Sequence, residues 1–452
     1  MKSLSRSPMI FNDEILLSEM IILYLFFALK NNYYSWEMPN FISTSLFTDK
    51  MSSSLLMLTF WITMMMYMTV KNEHNSDSSH SKLLFYIMFL CLMVSYTFQT
   101  SHVIGFFFMY ESTIIPTMLI ILGWGGQPEK VSSALTFFFY MFVCSIPFLG
   151  FLIYYSMKNE NFSMTMNYQM SGFQLSSSLL VIMMMLMFLV KMPMFTLHYW
   201  LPKAHVEAPV YGSMVLAGIL LKMGGYGLVR FMWLLGQNVT KKGALMSSII
   251  KDSIMSVSLI GASMASIVCL TSADMKKMVA FSSISHMNLA IAAMMTQSSL
   301  ACTSVVILMI SHGLTSSNMF SMVDNIYKRS STRSILMNKS LSLLIPVISF
   351  MWMVTLVMNM AIPPSLGSFS EIIMCMTLIS FSEMTIPLLM SYIFLSGFFS
   401  MYFFHLMNHG GGKTNYKPLL WPMSIKELST FSFHMIPSLL LILYLELFSL
   451  AL

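Results

Sequence analysis

The sequence predicts an all-α polytopic membrane protein, and three observations lead to this prediction. Of 452 residues, 56% are hydrophobic and only 9% are charged, whereas soluble globular domains carry roughly 25% charged residues. Apolar runs of about 20 residues, the length of a helix that crosses a bilayer, recur from one end of the chain to the other. Proline interrupts two of the longest runs. Because so few charges cannot cover a water-soluble fold, we expect the bilayer to be the environment of the chain.

Apolar runs separated by polar breaks predict about thirteen to fourteen transmembrane helices. Thirteen can be placed on the sequence. They lie near residues 14–30, 51–70, 83–100, 102–122, 131–156, 177–200, 208–235, 246–270, 278–297, 300–324, 340–385, 386–408 and 430–450.

Basic residues divide unequally between alternate loops, which indicates the orientation, because retained loops are enriched in Lys and Arg. One set of loops, here called the basic face, holds Lys71, Lys82, Lys130, Lys203, Lys276, Lys277, Lys328, Arg329, Arg333, Lys339, Lys413 and Lys417. The other face has chiefly Lys50, Lys158, Lys241 and Lys242. We expect the basic face and the N-terminus on the matrix-like side. The net charge of +6 is thus a topology signal, and it gives no reason to expect nucleic acid binding.

Two predicted spans are too long and are broken by proline, at Lys191-Met192-Pro193 and at Pro363-Pro364. Proline removes a backbone donor, so the freed carbonyls need partners inside a protein-lined cavity. Each break falls in the fourth span of a five-span block. Since five is odd, we predict two inverted five-helix repeats, each containing a broken helix. The predicted domains are N-terminal helices (1–80), a first repeat (81–235), a second repeat (246–408) and a loop with a C-terminal helix (409–452).

Six of the ionisable residues in the apolar spans are candidates for proton transfer, and a charged side chain in such a span costs at least roughly 2.5 kcal/mol. We predict that they form a proton pathway, since carboxylates, buried amines and imidazoles can exchange protons. Glu111 is expected to pair with Lys191, and the glycines around Lys222 allow close helix approach. The predicted pathway comprises Glu111, Lys191, Lys222, His286, His312 and Glu371.

Alternative interpretations remain open for these residues. The lysines and glutamates can be static ion pairs that fix helix packing, although the cost of intramembrane charge favours a function. For His286 and His312, a neutral imidazole bonded to a neighbouring helix explains each residue equally well when it is taken alone. Haem or metal ligation is disfavoured, because no companion ligand lies at helical spacing beside either histidine.

A polar segment between two predicted spans contains His205 and Glu207. Trp200 and Lys203 in the same segment are typical of an interfacial anchor. The sharper hypothesis is a proton-uptake mouth formed by His205 and Glu207.

Several motifs resemble the chain 4 family of mitochondrial NADH:ubiquinone oxidoreductase (respiratory complex I), which belongs to the antiporter-like subunits. The resemblance covers about residues 100–375. Its most specific motif is Leu-Pro-Lys-Ala-His-Val-Glu-Ala-Pro at 201–209. The other matching segments lie around Glu111, at 122–129, around Lys191, at 212–227, at 280–287 and at 308–317. The family usually has fourteen spans, so one N-terminal span is expected to be missing here.

The resemblance implies a proton-translocating membrane-arm subunit, and hence an enzyme only as part of NADH:ubiquinone reductase. It assigns Glu111 and Lys191 to the family's glutamate-lysine pair, Lys222 to its central lysine, His286 and His312 to its connecting histidines, and Glu371 to its exit acid. It further implies that NAD, FMN, iron-sulfur clusters and ubiquinone are bound elsewhere in the complex and that this chain has no redox centre of its own. None of its five scattered cysteines forms a C-x-x-C pair.

The implied partners are other membrane-arm subunits including neighbouring antiporter-like subunits, accessory subunits, and phospholipids such as cardiolipin. The implied location is the mitochondrial inner membrane, as a multi-pass protein. The 52 methionines agree with this location, since animal mitochondria read an additional codon as Met. Two alternatives remain: a stand-alone cation/proton antiporter subunit, which the Lys and Glu constellation also fits, and a passive membrane scaffold with fixed ion pairs.

Overall fold

The computed structural model describes residues 40–43, 46–70, 77–158, 178–237, 241–410 and 422–448, and these are almost entirely helical. A short antiparallel hairpin, β1 (Asn40–Ser43) and β2 (Leu46–Thr48), precedes the helices. The first half of the helices comprises α1 (Lys50–Val70), α2 (Asp77–Gln99), α3 (Val103–Ser112), α4 (Ile114–Trp124), α5 (Lys130–Lys158), α6 (Ser178–Lys191), α7 (Trp200–Glu207), α8 (Val210–Val215), a π-turn (Leu216–Leu220) and α9 (Leu221–Gln237).

The second half continues in the same manner. It comprises α10 (Lys241–Thr271), α11 (Met275–Met295), α12 (Ser299–Ser330), α13 (Leu341–Leu344), α14 (Pro346–Asn359), α15 (Leu366–Phe381), a 3₁₀ turn (Glu383–Thr385), α16 (Ile386–Asn408), α17 (Ile425–Leu440) and a final 3₁₀ segment (Leu441–Phe448).

Ten helical stretches within the described residues are long and apolar enough to cross a membrane. They coincide with ten of the predicted spans, which confirms the polytopic all-α fold class. The two remaining spans of the described region are the proline-broken ones, which contain shorter apolar helices. The predicted span at 14–30 and the topology residues Lys71, Lys413 and Lys417 lie outside the described residues.

Both predicted helix breaks are present. α6 ends at Lys191, and the chain then turns through Met192 and Pro193 before α7 begins at Trp200. α14 ends at Asn359, and α15 begins at Leu366 after Pro363-Pro364. The inverted relation of the two five-helix blocks and the four domain boundaries stay predictions.

α12 is one of the three most enclosed long helices of the described residues, after the stretch Val210–Met232 and α11. It packs against α1, α9, α11, α14, α15 and α17. Ser298 caps its N-terminus by accepting from the backbone N–H of Ala301, and Ser331 ends it in the left-handed conformation. His312 therefore lies on a helix that its neighbours shield from lipid.

Candidate proton-transfer site

Lys222, at the start of α9, contacts His312 on α12 in the centre of the bundle. The Lys222 ammonium Nζ lies 2.8 Å from His312 Nδ1 and donates to the backbone carbonyl of Ala217 at 2.5 Å. Both side chains are buried. Lys222 and His312, two groups that can both bind a proton, are thus in direct contact.

The line of ionisable groups continues from His312 to the end of the second block. The rings of His312 and His286 have centroids 5.8 Å apart. His286 Nδ1 lies 3.1 Å from the Glu371 carboxylate and 2.9 Å from the Tyr392 hydroxyl, which itself donates to Glu371 at 3.2 Å. Helices α9, α12, α11, α15 and α16 therefore each contribute one residue to a continuous cluster.

Glu111 and Lys191 form a second cluster at the break after α6. The Lys191 ammonium donates to the backbone carbonyl of Tyr110 at 3.2 Å, lies 3.5 Å from the Thr113 hydroxyl and sits 3.3 Å from the centre of the Tyr110 ring. Glu111 lies close enough to Lys191 and the Ser145 hydroxyl to interact electrostatically with both. The charges of Glu111 and Lys191 thus lie near each other, but the hydrogen bonds of the Lys191 ammonium go to Tyr110 and Thr113.

Close backbone packing joins the two clusters. A Cβ atom added to Gly224, two residues after Lys222, would lie 3.1 Å from Lys191 Cβ and 2.9 Å from the Met192 backbone nitrogen. Only glycine allows α9 to approach the helix break this closely. A Cβ on Gly313, next to His312, would lie 3.3 Å from Lys222 Cε. The glycines that surround these residues in the sequence serve helix approach, as predicted.

The π-turn before α9 positions the Lys222 side chain. π-turns interrupt the regular hydrogen bonds of a helix and are frequent at functional sites. Here the turn spans Leu216–Leu220, and its Ala217 carbonyl accepts from the Lys222 ammonium. The buried ammonium is therefore held by one backbone dipole and one imidazole.

Asn288 and Trp200 satisfy the backbone at the first helix break. The Asn288 amide nitrogen donates to the Pro193 carbonyl at 3.0 Å, and its oxygen accepts from the Phe195 backbone N–H at 3.1 Å. The Trp200 indole donates to the Val190 carbonyl at 3.0 Å. These side chains supply the partners that a proline break requires in an apolar environment.

We expect Asn288→Ala to destabilise the assembled protein by about 2 kcal/mol or more, because it leaves a buried carbonyl and a buried N–H unpaired. Thermal denaturation followed by circular dichroism measures the change. Ser282→Ala on the same helix is the control, since that hydroxyl donates only within α11. Equal thermal stability of the two variants would show that Asn288 does not support the break.

His205 and Glu207 lie together at the basic face, on α7. His205 is stacked on Phe320 of α12 with ring centroids 4.7 Å apart. Burial, with the nearby charges of Lys276 and Lys222, lowers the pKa of His205 to about 3. Burial also raises the pKa of Glu207, while Arg333 opposes this shift. His205 is therefore neutral at physiological pH.

Several buried polar atoms of His205, Glu207 and Ser316 lack partners within the described part of the chain. They are both ring nitrogens of His205, Oε2 of Glu207 and the Ser316 hydroxyl. Around them, Lys276 donates to the Ala208 carbonyl at 2.8 Å and Arg333 to the Val206 carbonyl at 2.8 Å. Buried polar atoms of this kind are usually satisfied by water.

Neither Tyr392 of the first cluster nor Asn288 at the helix break is among the residues that the sequence pattern predicts. Tyr392 was counted only as part of an apolar span, and nothing in the spacing of the sequence marks it. Asn288 was also missed, although a strongly polar residue two positions after His286 in an apolar span was a usable signal. Among the described residues, no group of three or more His, Cys, Asp or Glu side chains is arranged to hold a metal ion.

The fold and the buried ionisable residues define an antiporter-type membrane subunit. The families whose models match this sequence agree with that class. Residues 100–400 match the family described as NADH:quinone oxidoreductase/Mrp antiporter, and residues 1–98 match the amino terminus of NADH-ubiquinone oxidoreductase chain 4. The chain therefore belongs to the NADH-ubiquinone oxidoreductase chain 4 family, which confirms the resemblance found in the motifs.

Individual proteins named NADH-ubiquinone oxidoreductase chain 4 are similar in sequence to this chain over most of their length. The chain is 38% identical to NADH-ubiquinone oxidoreductase chain 4 of Ceratitis capitata over 82% of this chain and 81% of the relative. It is 34% identical to that of Pelomedusa subrufa over 90% of both chains. Membership in this family makes the chain a multi-pass membrane protein of the complex I type, with other membrane-arm subunits as its partners.

Solved structures share the fold at low sequence identity. A chain of respiratory complex I from Thermus thermophilus with bound NADH superposes with a TM-score of 0.82 at 16% identity, covering 96% of this chain and 93% of that chain. A chain of the membrane-bound sulfane sulfur reductase, an archaeal respiratory membrane complex, gives 0.84 at 14% identity, covering 97% and 91%. At these identities the likeness shows the fold alone.

Proposed function

We propose that this chain is a proton-translocating subunit in the membrane arm of NADH:ubiquinone oxidoreductase, respiratory complex I. The observation that carries the proposal is the line of contacts from Lys222 through His312 and His286 to Glu371, in a chain whose family is chain 4 of that complex. The line passes from one helix to the next, from α9 through α12 and α11 to α15. It is therefore suited to carrying protons along the middle of the membrane.

Each contact in the line suits proton transfer. Lys222 Nζ and His312 Nδ1 share a hydrogen bond, so a proton moves from the ammonium to the imidazole as the ammonium becomes a neutral amine. His286 Nε2 has no partner among the described residues, so ring rotation or a water molecule passes the proton between the two imidazoles. The Glu371 carboxylate then accepts it, with the Tyr392 hydroxyl holding both groups in place.

Glu111 and Lys191 provide the coupling to the driving reaction. Lys191 here turns toward Tyr110 and Thr113, and a second position pairs it with Glu111. A charge change at one end of the chain shifts the balance between these positions and thereby alters the proton affinity of Lys222 and then of the histidines. His205 and Glu207 form the uptake mouth, where the unpartnered polar atoms admit water.

The redox chemistry belongs to other subunits in this proposal. NAD, FMN, iron-sulfur clusters and ubiquinone are bound elsewhere in the complex, and this chain has no redox centre of its own. Accessory subunits and phospholipids such as cardiolipin contact its outer surface. The location is the mitochondrial inner membrane with the basic face toward the matrix, which the loop charges support.

The proposal is tested by Glu111→Gln, alone and combined with Lys191→Met, in the complete complex reconstituted in vesicles. We expect both variants to lose coupled proton transfer, because the shifting charge pair is gone, with NADH:quinone reduction slowed roughly tenfold or more. The measurements are the rate of quinone reduction and the protons moved per electron. Glu383→Gln, an exposed glutamate in the 3₁₀ turn before α16, is the control.

The passive-scaffold alternative makes the opposite prediction for the double variant. A static ion pair can be replaced by two neutral groups without leaving a buried charge, so a scaffold keeps its proton stoichiometry in Glu111→Gln/Lys191→Met. A normal ratio of protons to electrons in that variant would therefore refute the proposal.

A stand-alone cation/proton antiporter is the second candidate, favoured by the part of the family description that names the Mrp antiporter. Separation of solubilised membranes on a native gel distinguishes the two. Comigration of the chain with NADH dehydrogenase activity supports the complex I subunit, and migration apart from that activity supports the antiporter.

A further inference from the structure

Three residues of α9 lie on one helix face that leads away from the proton-transfer cluster. Lys222, Tyr226 and Arg230 are spaced at four-residue intervals, which places them one above another. With a rise of 1.5 Å per residue, Arg230 is roughly 12 Å beyond Lys222 along the helix. The loop before α8 lies at the basic face, where Lys276 holds Ala208, so Arg230 lies toward the opposite face.

Arg230 is fixed at that end by an ion pair and two aromatic rings. Its Nη2 lies 2.6 Å from Oδ2 of Asp49, and its side chain is 19% exposed. The guanidinium carbon lies 5.2 Å from the centre of the Phe47 ring and 5.0 Å from that of Tyr226. Asp49 is itself held, because its backbone N–H donates to the Ser52 hydroxyl at 2.7 Å.

The hairpin closes the same end of the bundle. Phe47 of β2 is buried and pairs with Phe41 of β1. Leu46 forms a bridge with Thr100 after α2, and the Tyr226 hydroxyl donates to the Phe98 carbonyl at 3.2 Å. Backbone and aromatic side chains thus surround the guanidinium.

The two ends of the region around Lys222 are chemically different. Toward the basic face lie the unpartnered polar atoms of His205, Glu207 and Ser316, which can bind water. Toward the opposite face lie aromatic rings, further unpartnered atoms among the described residues (Asp49 Oδ1 and Arg230 Nε), and a guanidinium that stays charged at every physiological pH. Its positive charge repels hydronium, as arginines do in pores that exclude protons and cations, and it also neutralises the Asp49 carboxylate 2.6 Å away, which by itself would attract hydronium.

We propose that Arg230, held by Asp49 between Phe47 and Tyr226, is an electrostatic seal that prevents protons on Lys222 from leaking to the face opposite the basic loops. This proposal rests on the proposed function, since a seal is needed only where Lys222 exchanges protons. Arg230 takes no part in the transfer line itself. It is a positioning residue whose charge keeps transferred protons on the lateral route.

The test uses the complete complex in sealed vesicles and measures the decay of an imposed pH gradient without NADH. We expect Arg230→Met to raise the passive proton conductance roughly tenfold, the factor that one positive charge about 12 Å away produces at an effective dielectric constant near 20. Arg230→Lys keeps the charge and should stay close to the unmodified complex. Quinone reduction should continue in both variants, with fewer protons retained per electron in Arg230→Met.

The control is Arg329→Met, which removes a comparable ion pair with Glu427 on the basic face. If Arg230→Met does not assemble, Arg230→Gln replaces it, because Gln still donates to Asp49 without the charge. The seal would be overturned if the neutral Arg230 variant did not raise the passive proton conductance. It would also be overturned if Arg230→Lys or Arg329→Met raised that conductance as much as the neutral Arg230 variant does. Loss of coupling in Glu111→Gln/Lys191→Met alongside a tight Arg230→Met would leave the proposed function standing without the seal.

Discussion

Lys222→Met is expected to reduce coupled NADH:quinone reduction by roughly a hundredfold, the scale of losing a positioned proton-transfer group. Met fills a similar volume but cannot hold a proton, and it leaves His312 without its ammonium partner. The rate of quinone reduction and the number of protons moved per electron, measured in vesicles that contain the complete complex, give the result.

Lys222→Arg separates proton exchange from fixed charge. Arginine keeps the positive charge and donates hydrogen bonds, but it does not release a proton in proteins. A static ion group tolerates this change, whereas a relay does not, so we expect Lys222→Arg to be as inactive as Lys222→Met. Lys251→Met on α10 is the control. Lys251 lies outside the cluster, and its ammonium donates to the Gln297 side-chain oxygen at 2.6 Å. Near-normal proton stoichiometry in Lys222→Arg would contradict the relay.

Glu371→Gln is expected to slow quinone reduction by at least roughly tenfold and to lower the number of protons moved per electron. The amide keeps an oxygen acceptor and a nitrogen donor for His286 and Tyr392, so the packing of α15 against α11 and α16 is preserved. What the variant loses is the ability to bind and release a proton. The measurement is proton uptake by vesicles during a limited pulse of NADH.

A comparison with Glu371→Asp distinguishes proton transfer by Glu371 from a purely structural role. Glu371→Asp retains a carboxyl group on a shorter side chain and should keep part of the activity, whereas a purely structural role would favour Gln, which has the length of Glu. Activity in Glu371→Gln above that in Glu371→Asp would remove Glu371 from the pathway.

The sequence located the ionisable residues but not their contacts. Glu111, Lys191, Lys222, His286, His312 and Glu371 stand out because charge and imidazole are expensive in apolar spans. They lie up to about 260 residues apart in the chain. Which of them touch depends on the rotation and crossing of six separate helices, and the four- and three-residue spacing within one helix does not specify this.

Lys191 shows the limit of sequence reasoning most clearly. A buried lysine near a buried glutamate predicts an ion pair, yet the ammonium binds the Tyr110 carbonyl and lies over the Tyr110 ring. The break at Thr113 between α3 and α4 directs these groups toward Lys191. Tyr392 and Arg230 likewise gained their proposed roles only from their neighbours, because a tyrosine or arginine near a span end is common in membrane proteins.

The sequence by itself determined the class of protein, its family, ten membrane-crossing helices and two helix breaks. These follow from local properties: apolar length, proline chemistry and the cost of burying charge. Tertiary structure alone decided that Lys222, His312, His286, Glu371 and Tyr392 form one line, that Asn288 caps the break, and that Arg230 and the hairpin close one end. The physical reason is that hydrogen bonds and ion pairs act over a few ångströms, so they depend on how helices pack rather than on the order of residues along the chain.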